Sequence, residues 1–303
     1  MAVLINQDGL TGYRNCPAPA KLNLFLHVVG RRPNGYHLLE SAFQLIDLCD
    51  CLHFTNRSDG AIHRINEIEG VPEEADLTVR AAARLKYEAQ IKNGQHVPGV
   101  DISIEKSIPA GGGLGGGSSD AATTLMVLNK LWHCGFSRQD LARIGVSLGA
   151  DVPFFLFRQN AFVQGIGEIM TPIETPLGWF VVIKPPVFVS TGLIFQSPEL
   201  TRNTKPIKME SYPYFCDSYI QEGKNDLQPV AVSLFPEIQE ALDDLGQYGN
   251  ARMTGSGACV FAYFESEGMA REAEEGLSSR WEVMVVRSLK QHPLDLTGIK
   301  TGS

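Results

Sequence analysis

Pro109-Ala110-Gly111-Gly112-Gly113-Leu114-Gly115-Gly116-Gly117-Ser118-Ser119 places six glycines in the seven positions from 111 to 117. An ordered glycine gives up roughly 0.5–1 kcal/mol of stability relative to alanine through backbone entropy, so such a loop costs about 3–6 kcal/mol. On composition alone a Gly/Ser run is a flexible linker. Its flanks argue otherwise. Val100 to Ile104 alternates as a strand before it, and Leu125, Leu128 and Trp132 recur at helical spacing after it, which predicts a helix over Ser118–Trp132. Ser118, Ser119 or Asp120 is placed to cap that helix. Bare backbone turning from a strand into a helix N-terminus offers unpaired amides and the positive end of the helix dipole, and residues without side chains let an anion come close. Residues 109–119 are therefore the candidate phosphate-binding loop.

The loop carries no Walker signature, because Gly117 stands where Gly-x-x-x-x-Gly-Lys-Ser/Thr requires lysine. Gly111-x-Gly113-x-x-Gly116 satisfies the dinucleotide fingerprint in form, as any six-glycine run does, while no clear ribose-binding acid ends a second strand about 20 residues on. An NAD(P)-dependent oxidoreductase stays open beside a nucleoside-triphosphate enzyme.

Upstream, Leu22, Leu24, Leu26 and Val28 alternate with Lys21, Asn23, Phe25 and His27, the pattern of a strand with one apolar and one mixed face. Arg31-Arg32-Pro33-Asn34-Gly35 ends it in a turn, and the apolar stretch through Phe54 continues the sheet. Residues 76–92 follow a helical period. Ser137-Arg138-Gln139-Asp140 matches a capping box, with Gly149 as the helix stop and Asp151-Val152-Pro153 directly after. Downstream, strands over Trp179–Ile183, Cys259–Phe264 and Val283–Val286 mix with helical stretches over 227–245 and 268–277, which makes the class α+β. A chain of 303 residues favours about two domains, and the boundary is placed near residue 160.

The formal charge of -8 opposes a broad nucleic-acid or membrane-surface role, so any anionic ligand must meet a local positive pocket. The N-terminus lacks the basic and long apolar stretches of a secretory signal, and no segment has the length of a membrane span, which reads as cytoplasmic. Six dispersed cysteines without Cys-x-x-Cys read as reduced thiols, and the seven histidines form no zinc-type pair, so no metal-ligating set is expected.

Lys21 and Asn23 share a strand face, and Asp151 sits before an apolar run. A lone strand lysine is commonly a snorkelling surface residue, and an acid before Val-Pro is commonly a helix cap or turn residue. Together with a phosphate loop they meet the needs of phosphoryl transfer, which asks for positioning, charge neutralisation by Mg²⁺ and cations, and a group to take the hydroxyl proton. Thr254-Gly255-Ser256-Gly257-Ala258 is a second glycine turn, by itself a hairpin signal. From the residues alone the reading is a kinase for a small-molecule hydroxyl.

Three stretches in this order, Pro17-Ala18-Pro19-Ala20-Lys21-Leu22-Asn23-Leu24, the 109–119 loop and Arg252-Met253-Thr254-Gly255-Ser256-Gly257-Ala258, resemble the galactokinase, homoserine kinase, mevalonate kinase and phosphomevalonate kinase superfamily. Asn34-Gly35-Tyr36-His37, Leu148-Gly149-Ala150-Asp151-Val152-Pro153, Ile194-Phe195 before Pro198-Glu199-Leu200, and Asn225-Asp226 are similar to the branch whose alcohol acceptor carries a cytidine diphosphate group, in isoprenoid precursor biosynthesis. The resemblance implies a two-domain α+β fold with an ATP-binding half over 1–160, a substrate-binding half over 161–303 and the active site in the cleft between them. It implies ATP and Mg²⁺ as cofactors, Asp151 as base and Lys21 as the group that orients and stabilises it. Tyr36 and Phe195 would stack on the cytosine, His37 would hydrogen-bond to it, and Asn23 would position the sugar-alcohol part. The partner is then a small molecule, neither nucleic acid nor membrane, and the unit a monomer or homodimer. Asp120 departs from the pattern, where a neutral residue such as Asn is expected. Met1–Asn15 has no counterpart and reads as a peripheral strand or tail.

Overall fold

Two 21-residue strands, β2 (Thr11–Arg31) and β3 (His37–Arg57), form an antiparallel hairpin around which the first half of the chain is assembled. The computed structural model describes residues 2–5, 11–94, 96–207 and 223–296. At the hairpin turn Gly35 takes a φ of 91°, which an Asn-Gly turn supplies without a side-chain clash. β1 (Ala2–Ile5) pairs with residues 11–14 of β2, so the N-terminal extension is a peripheral strand where it is described. Met1 and residues 6–10 lie outside the described residues.

One end of β3 pairs antiparallel with β5 (Gly99–Glu105), and β4 (Ile62–Arg64) runs parallel beside β5. Its other end pairs with β6 (Ala161–Gly165), which in turn pairs with β7 (Ile169–Pro172). The first sheet therefore draws strands from beyond residue 160. A second, fully antiparallel sheet is ordered β11 (Glu282–Arg287), β8 (Trp179–Lys184), β10 (Val260–Phe264), β9 (Arg252–Met253).

Helices form where caps and periodicity agree. Asp76 accepts the Thr78 amide at 2.7 Å to start α1 (Leu77–Asn93), and Gly94 ends it in the left-handed region. Ser137 and Asp140 close a reciprocal capping box on α3 (Arg138–Val146). That helix stops at Val146, short of the expected Gly149. α2 (Gly116–Leu131) begins two residues before Ser118, with Gly115 as its N-cap and no side-chain cap. Ser118, Ser119 and Asp120 are thus inside the helix rather than capping it. The continuous helix expected over 227–245 is broken into Gln228–Leu234 and Pro236–Gly246. Pro236 has no N–H and disfavours helical angles at Phe235, whose φ and ψ are -135° and 87°.

Three apolar clusters hold these layers. Leu52, Phe54 and Ile102 of the first sheet pack on Leu125 and Leu128 of α2 and on Phe154 of α4 (Val152–Phe157). Val181, Ile183 and Val260 of the second sheet pack on Ile238, Leu242 and Ala270. Leu22, Phe25, Ile46 and Phe162 meet Phe180, Val182 and Phe261 between the sheets, so the halves share a core.

Past Arg14 the second edge of β2 has no strand beside it among the described residues, and irregular segments use it instead. Lys21 N donates to Leu114 O at 3.0 Å, Asn23 N to Thr254 Oγ1 at 2.9 Å, Leu26 N to Lys224 O at 3.0 Å and Val28 N to an Asp226 carboxylate oxygen at 2.8 Å. Arg252 donates to Leu24 O at 2.9 Å. One edge thus gathers the phosphate loop, the second glycine turn and the 224–226 segment.

Asn225 fixes the second glycine turn: its amide donates to Met253 O at 2.9 Å and Gly255 O at 2.8 Å, while its Oδ1 accepts the Leu227 amide at 2.9 Å. Asn225→Ala leaves these buried backbone groups unpaired and lowers the unfolding free energy by about 2–4 kcal/mol, taking about 1–3 kcal/mol for each abandoned group and allowing for partial relaxation. Urea unfolding measures this; a change under about 0.5 kcal/mol would remove the anchoring role.

Candidate active site

The phosphate loop is held from two sides. Ala258 N donates to Gly111 O and Cys259 N to Gly112 O, both at 3.2 Å, so the second glycine turn lies back to back with the first. It is also the β9–β10 connection that its sequence suggested. Gly113, at φ 75°, passes so close that a Cβ there would lie 2.3 Å from Thr254 O. Gly115, also at φ 75°, would put a Cβ 3.0 Å from Phe155 and 3.3 Å from Lys21 Cγ. At these two positions glycine is required by backbone angle and by space. The first amides of α2 have no side-chain cap, and the buried Ser119 hydroxyl has no hydrogen-bond partner. Bare amides and an orphaned hydroxyl are the features that an anionic phosphate chain fits.

Lys21 is 3% exposed, with its Nζ 3.7 Å from the Asp151 carboxylate, 2.5 Å from Asn23 Oδ1 and 5.0 Å from the Phe43 ring centroid. It is therefore no snorkelling surface lysine. Burial pushes its pKa down, and the Asp151 charge opposes that. Asn23 is held in turn, donating to Ser41 Oγ at 2.9 Å. Asp151 precedes α4 without capping it, so its carboxylate is left for the cavity. That cavity, of about 330 Å³, brings Lys21, Asn23, Gly113, Gly115, Ser118 and Asp151 together.

A second hollow of about 750 Å³ is lined by Tyr36, His37, Pro153 and Phe195. The two share Leu39, Ala150, Ile166, Gly167 and Phe195 as a common wall. Phe195 lies on α5 (Thr191–Gln196), and its ring is 5.0 Å from that of His37. Tyr36 is 60% exposed at the rim. Arg202, which the sequence reading passed over, donates to His37 Nε2 at 3.1 Å. Burial and the charges of Arg202 and Arg31 push the His37 pKa down, so the ring is neutral at pH 7.

Behind the loop, Asp50 accepts the Ser107 and Ile108 amides at 2.6 and 2.8 Å, and Lys106 bridges Asp50 to Asp120, the latter at 2.7 Å. Asp120 therefore faces a lysine. No local signal marked this trio, since residues 50, 106 and 120 meet only through sheet pairing and the loop's turn.

Cys51, His53 and Glu105 also converge, Sγ to Nε2 at 3.8 Å and Nε2 to Oε1 at 3.2 Å. Spacing along the chain gave no hint of this cross-strand group, in which Cys51 and Glu105 are register partners. Asn15 N donates to His53 Nδ1 at 3.3 Å, which leaves the ring proton on Nε2 to be donated to Glu105. The group is a hydrogen-bonded chain. Cys16, Cys134 and Cys259 are buried free thiols, and Cys216 lies outside the described residues.

The chain matches the family models for the GHMP kinases N terminal domain over residues 76–159 and the GHMP kinases C terminal domain over residues 216–283. A 4-diphosphocytidyl-2-C-methyl-D-erythritol kinase of Janthinobacterium sp. (strain Marseille) is 57% identical over 280 residues, covering 92% of this chain and 96% of that protein. The chain belongs to the GHMP kinases. One of Thiobacillus denitrificans is 51% identical over 278 residues, covering 92% and 96%. A solved 4-(cytidine 5'-diphospho)-2C-methyl-D-erythritol kinase superposes with a TM-score of 0.75 at 34% identity, covering 90% of this chain and 98% of that one. A homoserine kinase from Cytophaga hutchinsonii, at 16% identity and a TM-score of 0.68, shares the fold. This GHMP kinase is an α+β small-molecule kinase. The oxidoreductase alternative falls with that membership. Among the described residues no helix of this GHMP kinase is long and apolar enough to cross a membrane.

Burial pushes the Asp120 carboxyl up to about 8, with the Lys106 charge opposing the rise and Asp50 adding to it. The unfolded chain releases that proton near pH 4 (roughly 3.9 for a free Asp), so across the interval the native state binds more protons. The contribution of Asp120 to stability therefore falls as pH rises from about 4 to about 8. Asp120→Asn, which keeps an acceptor for Lys106, is expected to flatten this part of the profile. Urea midpoints from pH 5 to 8 measure it, and parallel curves for the two proteins would refute the assignment.

Proposed function

We propose that this GHMP kinase transfers the γ-phosphoryl group of ATP to the 2-hydroxyl of 4-diphosphocytidyl-2-C-methyl-D-erythritol, in the cytoplasm, as a step of non-mevalonate isoprenoid precursor biosynthesis. The observation that carries this reading is the buried Lys21–Asp151 pair, 3.7 Å apart, opening into the same cavity as the glycine loop. The acceptor's identity rests on relatives of 57% and 51% identity that carry that name.

In this mechanism the 109–119 loop holds the triphosphate through its backbone amides from Ala110 to Ser118 and the Ser118 and Ser119 hydroxyls. The Ser118 hydroxyl, on the cavity wall, is the side-chain oxygen offered to Mg²⁺, which supplies charge neutralisation when bound with the nucleotide. Asp151 takes the proton of the 2-hydroxyl as that oxygen attacks the γ-phosphorus and the bond to the β-phosphate oxygen breaks, leaving ADP. Lys21 keeps the carboxylate ionised and offsets the charge that develops on the transferred group. Asn23 positions the erythritol part and orients Lys21 through the 2.5 Å contact. Tyr36 and Phe195 stack on the cytosine and His37 hydrogen-bonds to it. The ATP-binding half is residues 1–160 and the substrate-binding half 161–303, working as a monomer or homodimer.

ADP release with Mg²⁺-ATP is compared across 4-diphosphocytidyl-2-C-methyl-D-erythritol, mevalonate, homoserine and galactose. Turnover of the cytidyl compound alone supports the proposal; preference for another acceptor overturns the substrate. Asp151→Asn is expected to lower kcat by about 10² or more, the scale of a general base, without loss of folding. Near-normal turnover would remove Asp151 from that role. Gly115→Val forces a branched side chain against Phe155 and Lys21 and is expected to raise the KM for ATP about tenfold or more. An unchanged KM in a folded variant would place the triphosphate elsewhere.

A further inference from the structure

The Arg202 side chain ties the end of α5, whose Phe195 lines the larger hollow, to His37, which lines it too. Its NH2 donates to Phe195 O at 3.2 Å and Ser197 O at 2.6 Å, at the C-terminal end of α5, and its NH1 to Leu200 O at 3.0 Å. Its Nε donates to His37 Nε2 at 3.1 Å. A guanidinium has no acceptor and does not lose its proton, so the direction of that last bond is fixed: Nε2 must present its lone pair. A neutral imidazole carries one proton, and with Nε2 accepting, it sits on Nδ1. We propose that Arg202 is a specificity-determining positioning residue, which locks His37 as the Nδ1–H tautomer so that the hollow offers a hydrogen-bond donor to the acceptor edge of a pyrimidine.

The inference rests on the reading of the larger hollow as the base pocket. Its consequence is chemical discrimination. Cytosine presents an acceptor at N3, where uracil presents an N–H. An Nδ1–H donor aimed at that position pairs with the first and confronts the second, and a buried donor left facing a donor is strongly disfavoured. A free histidine evades this test by moving its proton to the other nitrogen, at little cost. Arg202 removes that option, because the alternative tautomer would set Nε2–H against Nε–H. The same guanidinium ties the Phe195 carbonyl, so the stacking ring and the donor are positioned by one group.

Two experiments decide it. Long-range ¹H–¹⁵N correlation spectra of His37 in the unmodified protein at pH 7 read the tautomer without any substitution. A predominant Nδ1–H form is expected, and a predominant Nε2–H form would overturn the proposal. Steady-state kinetics then compare the acceptor with its analogue carrying uracil in place of cytosine. In Arg202→Gln the preference for cytosine, as the ratio of kcat/KM values, is expected to fall about tenfold or more, with the loss carried by the acceptor KM rather than kcat. In a His37→Ala background the same substitution is expected to leave the ratio unchanged, since the effect passes through His37. Equal weakening toward both bases would mean that Arg202 only braces the loop, and would overturn the proposal. If the wild-type enzyme does not turn over the cytidyl compound, the substrate reading fails and base discrimination with it, while the tautomer spectrum still reports on the Arg202 lock.

Discussion

The structure depends on what the unpaired edge of β2 does. A strand edge left open exposes a row of amides and carbonyls that must find partners. Here Lys21, Asn23, Leu26 and Val28 donate in turn to Leu114, Thr254, Lys224 and Asp226. Each partner belongs to an irregular segment rather than to a neighbouring strand. Two of them are glycine turns, and the third carries the Asn225 side chain that ties the second turn down. A loop costing about 3–6 kcal/mol in entropy stays ordered because its neighbours over-determine it. Strand, loop and turn form one hydrogen-bonded unit, and Lys21 projects from the middle of it.

Electrostatics follow from the same arrangement. A lysine as buried as Lys21 would shed its proton unless anions or acceptors stood beside it. Asp151 and Asn23 Oδ1 are those groups, and Asp151 can serve because the Val152–Phe157 helix does not use its carboxylate as a cap. On the far side of the loop, Lys106 stands between Asp50 and Asp120, and Asp50 takes the amides that lead into the glycines. The acid in α2 that the superfamily pattern left unexplained thus faces the Lys106 ammonium.

What the sequence made legible was whatever is encoded over a few residues. The β2 alternation, the Asn34-Gly35 turn, the capping box at Ser137 and the glycine run each carry their meaning locally, and each element is where its pattern put it. Boundaries set by the chain's own surroundings were harder. Ser118 and Ser119 resemble caps, but the helix starts at Gly116 because the glycines already have helical or capping angles. Pro236 splits a helix whose apolar period runs on unbroken. Nothing local distinguished Arg202, Lys106 or Asp50, whose partners lie 165, 56 and 14, and 57 positions away, as in His37, Asp50 and Asp120, and Ser107. Lys21 and Asp151 were joined by their chemistry and by the resemblance, with no local signal that they touch, and their 3.7 Å approach is a property of the fold.

The two hollows differ in kind, and that difference bears on how one acceptor can be both recognised and phosphorylated. The smaller is lined by a buried cation, a carboxylate and bare backbone, which suits the phosphoryl transfer proposed for it. The larger is lined by the rings of Tyr36, His37 and Phe195, which suits the flat heterocycle proposed for it. Their common wall of Leu39, Ala150, Ile166, Gly167 and Phe195 means that a ligand with a base at one end and a hydroxyl at the other would lie across both without leaving protein contact. Binding energy gathered at the rings can then serve to hold the hydroxyl beside Asp151, which is how contacts remote from the reacting atoms contribute to rate. Ala150 stands in that wall next to Asp151 in sequence, so the wall between the hollows and the proposed base are joined through a single peptide bond.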